Sequence, residues 1–359
     1  MNSLVEHIHK KSKQRCFTSV VTLLVTACMA RALAAALPPS AVSPAAPCTA
    51  QLASPMLVTL GTVPARAVFD ATCEHVYLTN SIQNRIEVFS LKTLTLEEPI
   101  QVGAQPVGLD VSLDGSRLYV ANSGGNNLSV VDLSKRVESH KIPLPVDNPV
   151  NDRPYVIGIG ANGKAVMMTF NGSAGGRVMS MDLGTEEIVA RADGGFNGAA
   201  NALGQIIPTL DRSGLVLAEG MTGGKLSMYA ANVDGFSFEK PVPTMVDACP
   251  NATGSRLLTI TFSSGSILFD SALNQLGTIP SVNGAKGCAI DPGGVVAYRS
   301  ISSKIEILNL TTFLKTGEIF LPDFVSTIHA DAGQIRLSGD GRLMVVTTVT
   351  GFALLQVQP

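Results

Sequence analysis

The sequence predicts an all-β fold, a seven-bladed β-propeller whose blades each contain four strands. Two observations carry this prediction. Seven units of similar pattern recur along the 359 residues, and their spacing matches the length of one propeller blade. Each unit is also rich in β-branched residues, often alternates apolar with polar side chains, and has frequent turn residues, which is typical of strands and not of helical repeats.

The third predicted strand of each unit is the clearest marker of the repeat. Its starts are separated by 42, 50, 48, 40, 39 and 47 residues, too far apart for a leucine-rich repeat. The seven segments read RIEVFSL (85–91), NLSVVDL (127–133), RVMSMDL (177–183), KLSMYAA (225–231), GSILFDS (265–271), KIEILNL (304–310) and GFALLQV (351–357).

The second predicted strands recur with the same units. Segments such as RLYVAN (117–122) and RLMVVTT (342–348) follow Asp114-Gly115 and Asp340-Gly341. A tight hairpin needs positive φ there, and glycine adopts it at little cost. These aspartates and glycines are therefore interpreted as turn residues.

One stretch carries a family resemblance. LDVSLDGSRLYVANSGGNNLSVVDL (109–133) resembles the repeat of the YVTN β-propeller family, and HVYLTNSIQNRIEVFSL (75–91) is a looser copy. The later units keep the apolar spacing but not the letters, so the resemblance covers 56–359 for the fold and about 64–145 for the motif. It implies a propeller scaffold, often exported, with no single shared activity.

The two ends of the repeat region predict how the ring closes. The last unit has three strands, and MLVTLGT (56–62) precedes the first unit with the character of the missing outer strand. Pairing these segments would cover edges that otherwise invite aggregation. We therefore predict a propeller over 56–359 whose N-terminal strand completes the last blade.

Residues 1–36 have the layout of a secretory signal peptide: four basic residues, an apolar run from Cys16 to Met29, and ALAAA. The apolar run is short for a membrane anchor and is followed by Arg31. VTAC (25–28) resembles a lipobox, which would make Cys28 a lipid anchor, but we favour ordinary cleavage. Residues 37–55, rich in Pro, Ala and Ser, then read as a tether before the ring.

The net charge of the chain disfavours one class of partner. Without residues 1–36 the chain has 21 Lys and Arg against 27 Asp and Glu, a formal charge of −6. Nucleic-acid binding needs clustered cations, so that partner class is disfavoured. We expect a monomer in the periplasm or outside the cell, attached to a membrane only if Cys28 is lipidated.

Four cysteines remain in the predicted mature chain. An even number in an exported protein predicts two disulfides, and three pairings are open. The repeat alignment favours Cys48 with Cys73, and Cys249 with Cys288, which fall in the first strands of neighbouring blades.

The sequence contains no common cofactor signature. Only three histidines follow the signal peptide, in three different units, and no CxxCH, HExxH or CxxC motif occurs. Bound metal needs convergent ligands, so we expect no metal and no cofactor. We interpret His75 and His140 as surface residues.

A set of charged residues is the remaining candidate for a binding site. They align near the innermost strands in a chain with few charges, and buried charges cost several kcal/mol unless paired. Either they pair with each other or they bind a small anionic or polar ligand at a channel mouth formed by the connections between blades and between second and third strands. The residues are Arg66, Asp110, Arg153, Asp247, Lys286, His329, Asp331 and Arg336.

Three functions follow from these features. We favour a non-catalytic exported scaffold that binds a protein partner, a cell-envelope component or a small ligand at its loop face. The second is an enzyme or enzyme subunit, because similar propellers include lactonases and large subunits of periplasmic quinone-dependent dehydrogenases. The third is a surface-layer or adhesion element.

Overall fold

The computed structural model describes residues 47–145, 152–171, 176–193, 204–219, 224–242, 244–261, 265–326 and 335–357. These residues form 29 β-strands in seven antiparallel sheets, which confirms the predicted seven-bladed propeller. No helix in this part of the chain is long and apolar enough to cross a membrane. The predicted signal peptide, its lipobox and the tether up to residue 46 lie outside the described residues.

The strands of a blade follow one another from the centre of the ring outward. Blade 1 contains β2 (Ala67–Phe69), β3 (His75–Asn80), β4 (Arg85–Ser90) and an interrupted outer strand, β5 (Thr95–Leu96) and β6 (Ile100–Gln101). Blade 2 contains β7 (Pro106–Val111), β8 (Arg117–Asn122), β9 (Asn127–Asp132) and β10 (Val137–Pro143). Blade 3 contains β11 (Arg153–Ile159), β12 (Lys164–Phe170), β13 (Val178–Asp182) and β14 (Ile188–Ala190).

The remaining blades repeat this order. Blade 4 contains β15 (Gly204–Pro208), β16 (Gly214–Glu219), β17 (Lys225–Ala230) and β18 (Gly235–Pro241). Blade 5 contains β19 (Met245–Pro250), β20 (Arg256–Thr261), β21 (Ser266–Asp270) and β22 (Gln275–Ile279), and blade 6 contains β23 (Ala285–Ile290), β24 (Val296–Ile301), β25 (Lys304–Asn309) and β26 (Leu314–Phe320). Blade 7 contains β27 (Ile335–Leu337), β28 (Leu343–Thr347), β29 (Gly351–Gln356) and the N-terminal strand β1 (Met56–Thr59).

The first strand of each blade, called here the inner strand, lies at the centre of the ring. Each inner strand contacts the inner strand of the next blade, and β27 contacts β2. Seven buried apolar clusters lie between successive blades. The middle strands are therefore buried on both faces and read as almost continuous apolar runs, whereas the outer strand β26 is largely exposed.

The ring closes as the sequence predicts. Strand β1 pairs antiparallel with β29, with Met56 opposite Leu354 and Thr59 opposite Gly351. The residues before β1 continue along blade 7, where the backbone N–H of Cys48 donates to the Asp340 carboxylate at 2.7 Å. The edge of β29 is thus covered by a strand from the other end of the chain.

Both favoured disulfides are present. Cys48 and Cys73 have Cα atoms 5.1 Å apart, and Cys249 and Cys288 have Cα atoms 5.8 Å apart, within the usual range. The first ties the N-terminal arm on blade 7 to blade 1, and the second joins the inner strands β19 and β23.

One turn recurs in every blade between the inner and second strands. The backbone N–H of its fourth residue donates to the carbonyl of its first, as Gly115 does to Ser112 at 2.9 Å. This fourth residue has φ between 53° and 76° in all seven blades and is glycine in five of them. The exceptions are Cys73 in blade 1 and Arg212 in blade 4.

Candidate functional site

The structure brings four of the eight predicted site residues together at the centre of the ring. Arg66, Asp110 and Asp247 are buried, with 2%, 3% and 1% of their surfaces exposed, and Arg336 is half-buried. Each lies on or next to the inner strand of a different blade. The negative charges of Asp110 and Asp247 act on both Arg66 and Arg336, whose pKa values they raise.

The other four predicted residues do not join this cluster. Arg153 is exposed and Lys286 is half-buried, and neither lines the cavity described below. His329 and Asp331 lie outside the described residues.

Asp110 is held by three donors. Its carboxylate accepts the backbone N–H of Val111 at 2.9 Å, that of Ile159 at 2.7 Å, and a guanidinium N–H of Arg212 at 2.5 Å. Ile159 belongs to the inner strand of the next blade. The two strands approach so closely that a Cβ on Gly108 would lie 2.6 Å from the Tyr155 carbonyl oxygen.

Asp247 repeats this arrangement between blades 5 and 6. Its carboxylate accepts the backbone N–H of Ala248 at 2.8 Å and that of Cys288, on the next inner strand, at 2.9 Å. Burial raises the pKa of Asp247 to about 6, although Arg336 and the two N–H donors oppose this change. Asp247 is therefore mostly ionised at neutral pH.

The two arginines of the cluster donate to backbone carbonyls. A guanidinium N–H of Arg66 donates to the Ile206 carbonyl at 3.2 Å, and one of Arg336 donates to the carbonyl of Ile335 at 2.8 Å. Burial, and then the charge of Arg336, lower the pKa of Arg66 to about 9. Burial also lowers the pKa of Arg336. With a pKa of about 9, Arg66 stays cationic at neutral pH, and arginine side chains in proteins are in general not deprotonated.

Arg212 is a fifth member of the cluster, and it is not among the residues predicted from the sequence. It occupies the turn position that glycine holds in five blades, with φ of 58°. A side chain with positive φ costs of order 1 kcal/mol or more relative to glycine. Arginine at this position of the repeat is the signal that an alignment of the seven turns could have revealed.

A cavity of about 240 Å³ lies beside these side chains. It is formed by blades 7, 1, 2, 3 and 4, at the end of the inner strands where the recurring turn begins. The ligand site predicted from the sequence lies at the opposite end, where blades connect to one another and second strands connect to third strands. The lining comprises Arg66, Ala67, Val68, Phe69, Asp70, Ala71, Leu109, Asp110, Val111, Ser112, Leu113, Ile157, Ile206, Ile207, Pro208, Thr209, Leu210, Arg212, Arg336, Leu337 and Gly339.

The cavity lining combines guanidinium groups with apolar walls. The lining contains three guanidinium groups, those of Arg66, Arg212 and Arg336, and two carboxylates, those of Asp70 and Asp110. The Asp70 carboxylate already has partners: it accepts the backbone N–H of Glu74 at 2.8 Å and lies 3.1 Å from the His75 ring. The arrangement is suited to hold a small anion.

The histidines form contacts elsewhere on the ring. His75, with 17% of its side chain exposed, lies between Asp70 and Glu97 and contacts Arg136 of blade 2 at 3.0 Å. His140 is exposed and contacts Glu186 at 2.9 Å. Within the part of the chain that the structure describes, no three His, Cys, Asp or Glu residues converge as metal ligands.

Comparisons with known proteins support the fold. No protein-family model matches the chain, and no curated protein matches it. Among solved structures, the chain is similar to one from Kuenenia stuttgartiensis hydrazine synthase, with a TM-score of 0.61 and 14% sequence identity over 86% of this chain and 99% of the other. At this identity the likeness shows the propeller architecture alone.

Proposed function

We propose that this protein is an exported, non-catalytic β-propeller that binds a small anionic ligand in the cavity at its centre. The observation that carries the proposal is the set of three arginines, Arg66, Arg212 and Arg336, on one cavity whose aspartates already accept several hydrogen bonds. Cations taken out of water are costly unless an anion compensates them.

Within the described residues, Arg336 has hydrogen-bond donors that no protein group uses. Within the described residues its guanidinium makes one hydrogen bond, to the Ile335 carbonyl, and no direct ion pair. A guanidinium presents five N–H donors in a planar fork, so most of those of Arg336 remain for a ligand. Charge-assisted bonds of this kind are roughly twice as strong as neutral ones.

Thermal unfolding in a panel of small anions at constant ionic strength tests the proposal. We expect at least one anion to raise the melting temperature of the wild-type protein, since a ligand at a hundred times its Kd stabilises the folded state by about 2.7 kcal/mol. Arg336→Met removes the guanidinium and should abolish the increase. Arg342→Met is the matched control, because Arg342 lies on the same blade, is largely exposed and does not line the cavity.

Two outcomes would contradict the proposal. The first is that no anion raises the melting temperature of the wild-type protein. The second is that the Arg336→Met variant responds as the wild type does.

Export is the second part of the proposal. Two disulfides are consistent with it, because such bonds persist in oxidising compartments. Mass spectrometry of the protein purified from its own cells should find both bonds intact and an N-terminus near residue 35 or 37, or an acylated Cys28. Free thiols and an uncleaved N-terminus would contradict export.

A second candidate function is a contact with a protein or envelope component at the face where blades connect. Phe324 and Val349 lie side by side there, 61% and 43% exposed, with the Val349 N–H donating to the Phe324 carbonyl. Replacing both with serine should release the protein from the cell-envelope fraction. Phe320→Ser on the outer strand β26 is the control, and equal release from both variants would contradict this contact.

A further inference from the structure

We infer that Asp247 couples anion binding in the central cavity to the uptake of a proton, so that the anion binds more tightly as the pH falls. This inference rests on the proposed function and adds the regulation of the same site. It follows from the charge that Asp247 places on Arg336, from the groups that surround the Asp247 carboxylate, and from an unused acceptor on Gln205.

Asp247 acts on the cavity through its charge and not through a direct contact. It is buried and does not line the cavity, whereas Arg336 does. The described residues show no hydrogen bond between Asp247 and Arg336, whose guanidinium donates to the Ile335 carbonyl. The negative charge of Asp247 nevertheless acts on Arg336. A proton on Asp247 therefore changes the charge near Arg336 without breaking a bond to it.

The surroundings of Asp247 make Arg336 its main charged neighbour. Strand β19, which carries Asp247, packs against β15, β16, β20 and β23. Arg66 acts on Asp247 from across the ring, and three further charged side chains lie on the packed strands, those of Glu219, Arg256 and Lys286. Of all these charges, that of Arg336 has the largest effect on the Asp247 carboxylate. Because the interaction is mutual, an anion bound to Arg336 is repelled by the same carboxylate.

Gln205 provides the acceptor that a protonated Asp247 needs. It lies on β15 of blade 4, is 2% exposed, and its side chain donates a hydrogen bond to the Asp247 carboxylate. The Oε1 atom of Gln205 is buried and has no hydrogen-bond partner, which is a costly state for a polar atom. Rotation of the amide by half a turn exchanges its donor and acceptor, and Oε1 would then accept the O–H of the protonated carboxyl group. The site can thus hold Asp247 in its charged and in its neutral form.

The sign of the coupling follows from the charge of the carboxylate. Burial raises the pKa of Asp247 to about 6, so its proton exchanges close to neutral pH. Below this pH the carboxyl group is neutral and does not repel an anion bound to Arg336, whereas above it the negative charge opposes binding. Conversely, a bound anion favours the protonated form, and a fraction of a proton is taken up as the anion binds.

Isothermal titration calorimetry of the purified full-length protein with nitrate and with sulfate tests the coupling, because both anions keep their charge between pH 5 and pH 8. We expect binding to be about fivefold to tenfold tighter at pH 5 than at pH 8, since an anion on Arg336 should raise the pKa of Asp247 by about one. Titrations at pH 6 in two buffers with different ionisation enthalpies should show that a proton is taken up on binding.

Two variants identify the group that takes up the proton. Asp247→Asn should bind the anion equally well at both pH values, with an affinity close to that of the wild type at pH 5. His75→Gln is the control, because histidines titrate in this range and His75 lies 3.1 Å from Asp70, which lines the cavity. This variant should keep the pH dependence. Circular dichroism establishes that each variant is folded.

The outcomes separate this inference from the proposed function. If the anion binds through Arg336 but its affinity does not change with pH, or changes equally in Asp247→Asn, the coupling is wrong and the anion site remains. Loss of the pH dependence in His75→Gln would also overturn it, because the proton would then belong to His75. If the binding of neither probe depends on Arg336, both proposals fail.

Discussion

Arg212 and Cys73 show how single residues depart from the repeat where they have a separate task. Both occupy a turn position with positive φ that is otherwise glycine, and both use the side chain that glycine lacks. Cys73 forms a disulfide with Cys48, and Arg212 binds Asp110. Arg66, Asp110, Asp247 and Arg336 could be selected from the sequence because charges are rare near inner strands. Their partners could not, because Ile159, Ile206 and Cys288 belong to other blades and reach them only in the folded ring.

The cost of positive φ at Arg212 can be measured with two substitutions. Arg212→Ala and Arg212→Gly both remove the bond to Asp110, but only glycine relieves the backbone. We expect the glycine variant to be more stable than the alanine variant by about 1 kcal/mol in urea unfolding. Equal stabilities of the two variants would mean that the turn carries no such strain.

Asp247 should make stability depend on pH in a definite direction. Its pKa is about 6 in the folded protein against an ordinary value of 3.8, so the folded state holds the proton more tightly. The stabilisation from the proton is present below pH 3.8 and is lost as the pH rises to about 6, a loss of up to about 3 kcal/mol.

The substitution Asp247→Asn isolates this effect, because it removes the titrating group. Relative to the wild type, the free energy of unfolding of the variant should rise by up to about 3 kcal/mol between pH 4 and pH 7. The loss of one acceptor for the Cys288 N–H adds a cost that does not depend on pH. A constant difference between the two proteins across this range would show that the pKa of Asp247 is not raised.

At the scale of strands and turns, the sequence predicted most of the fold because each middle strand packs on both faces. The predicted segment 127–133 contains β9 (Asn127–Asp132), and 304–310 contains β25 (Lys304–Asn309). The outer strands were harder to find, since they are short or exposed. The fourth strand of blade 1 is broken into β5 and β6 around Glu97 and Pro99, a feature without a repeating pattern.

The disulfide between β19 and β23 should stabilise the junction of blades 5 and 6. Cys249 and Cys288 are 39 residues apart, and closing a loop of this length in the unfolded chain is worth about 4 kcal/mol. Replacing both cysteines with serine should lower the free energy of unfolding by about that amount in guanidinium chloride. A change below 1 kcal/mol would contradict a stabilising role for this bond.

For the whole molecule, ring closure by β1 could be predicted because the seventh unit had only three strands. The position of the cavity could not, because it depends on how seven inner strands converge and on which side chains fill the centre. The sequence predicts a ligand at the face where successive blades are connected and where second and third strands are joined. The structure shows open space at the turn face, beside Arg212 and Arg336.

Because β1 closes the ring, we expect a substitution in β1 to lower the free energy of unfolding of the propeller. Val58 is buried between blades 7 and 1, whereas its neighbour Thr59 is exposed. Val58→Lys buries an unpaired charge and should lower the free energy of unfolding by 3 kcal/mol or more, with aggregation detected by light scattering as the edge of β29 opens. Thr59→Lys is the control, and equal effects of the two substitutions would contradict closure by this strand.

A crystal structure of the protein grown with the anion that raises its melting temperature most would test the central claim most directly. The claim is that the cavity at the turn face of the ring binds a small anion through its arginines. We expect density for the anion within about 3 Å of the Arg336 guanidinium. A cavity without ligand density at a saturating concentration of that anion, or density for the anion only elsewhere, would contradict the claim.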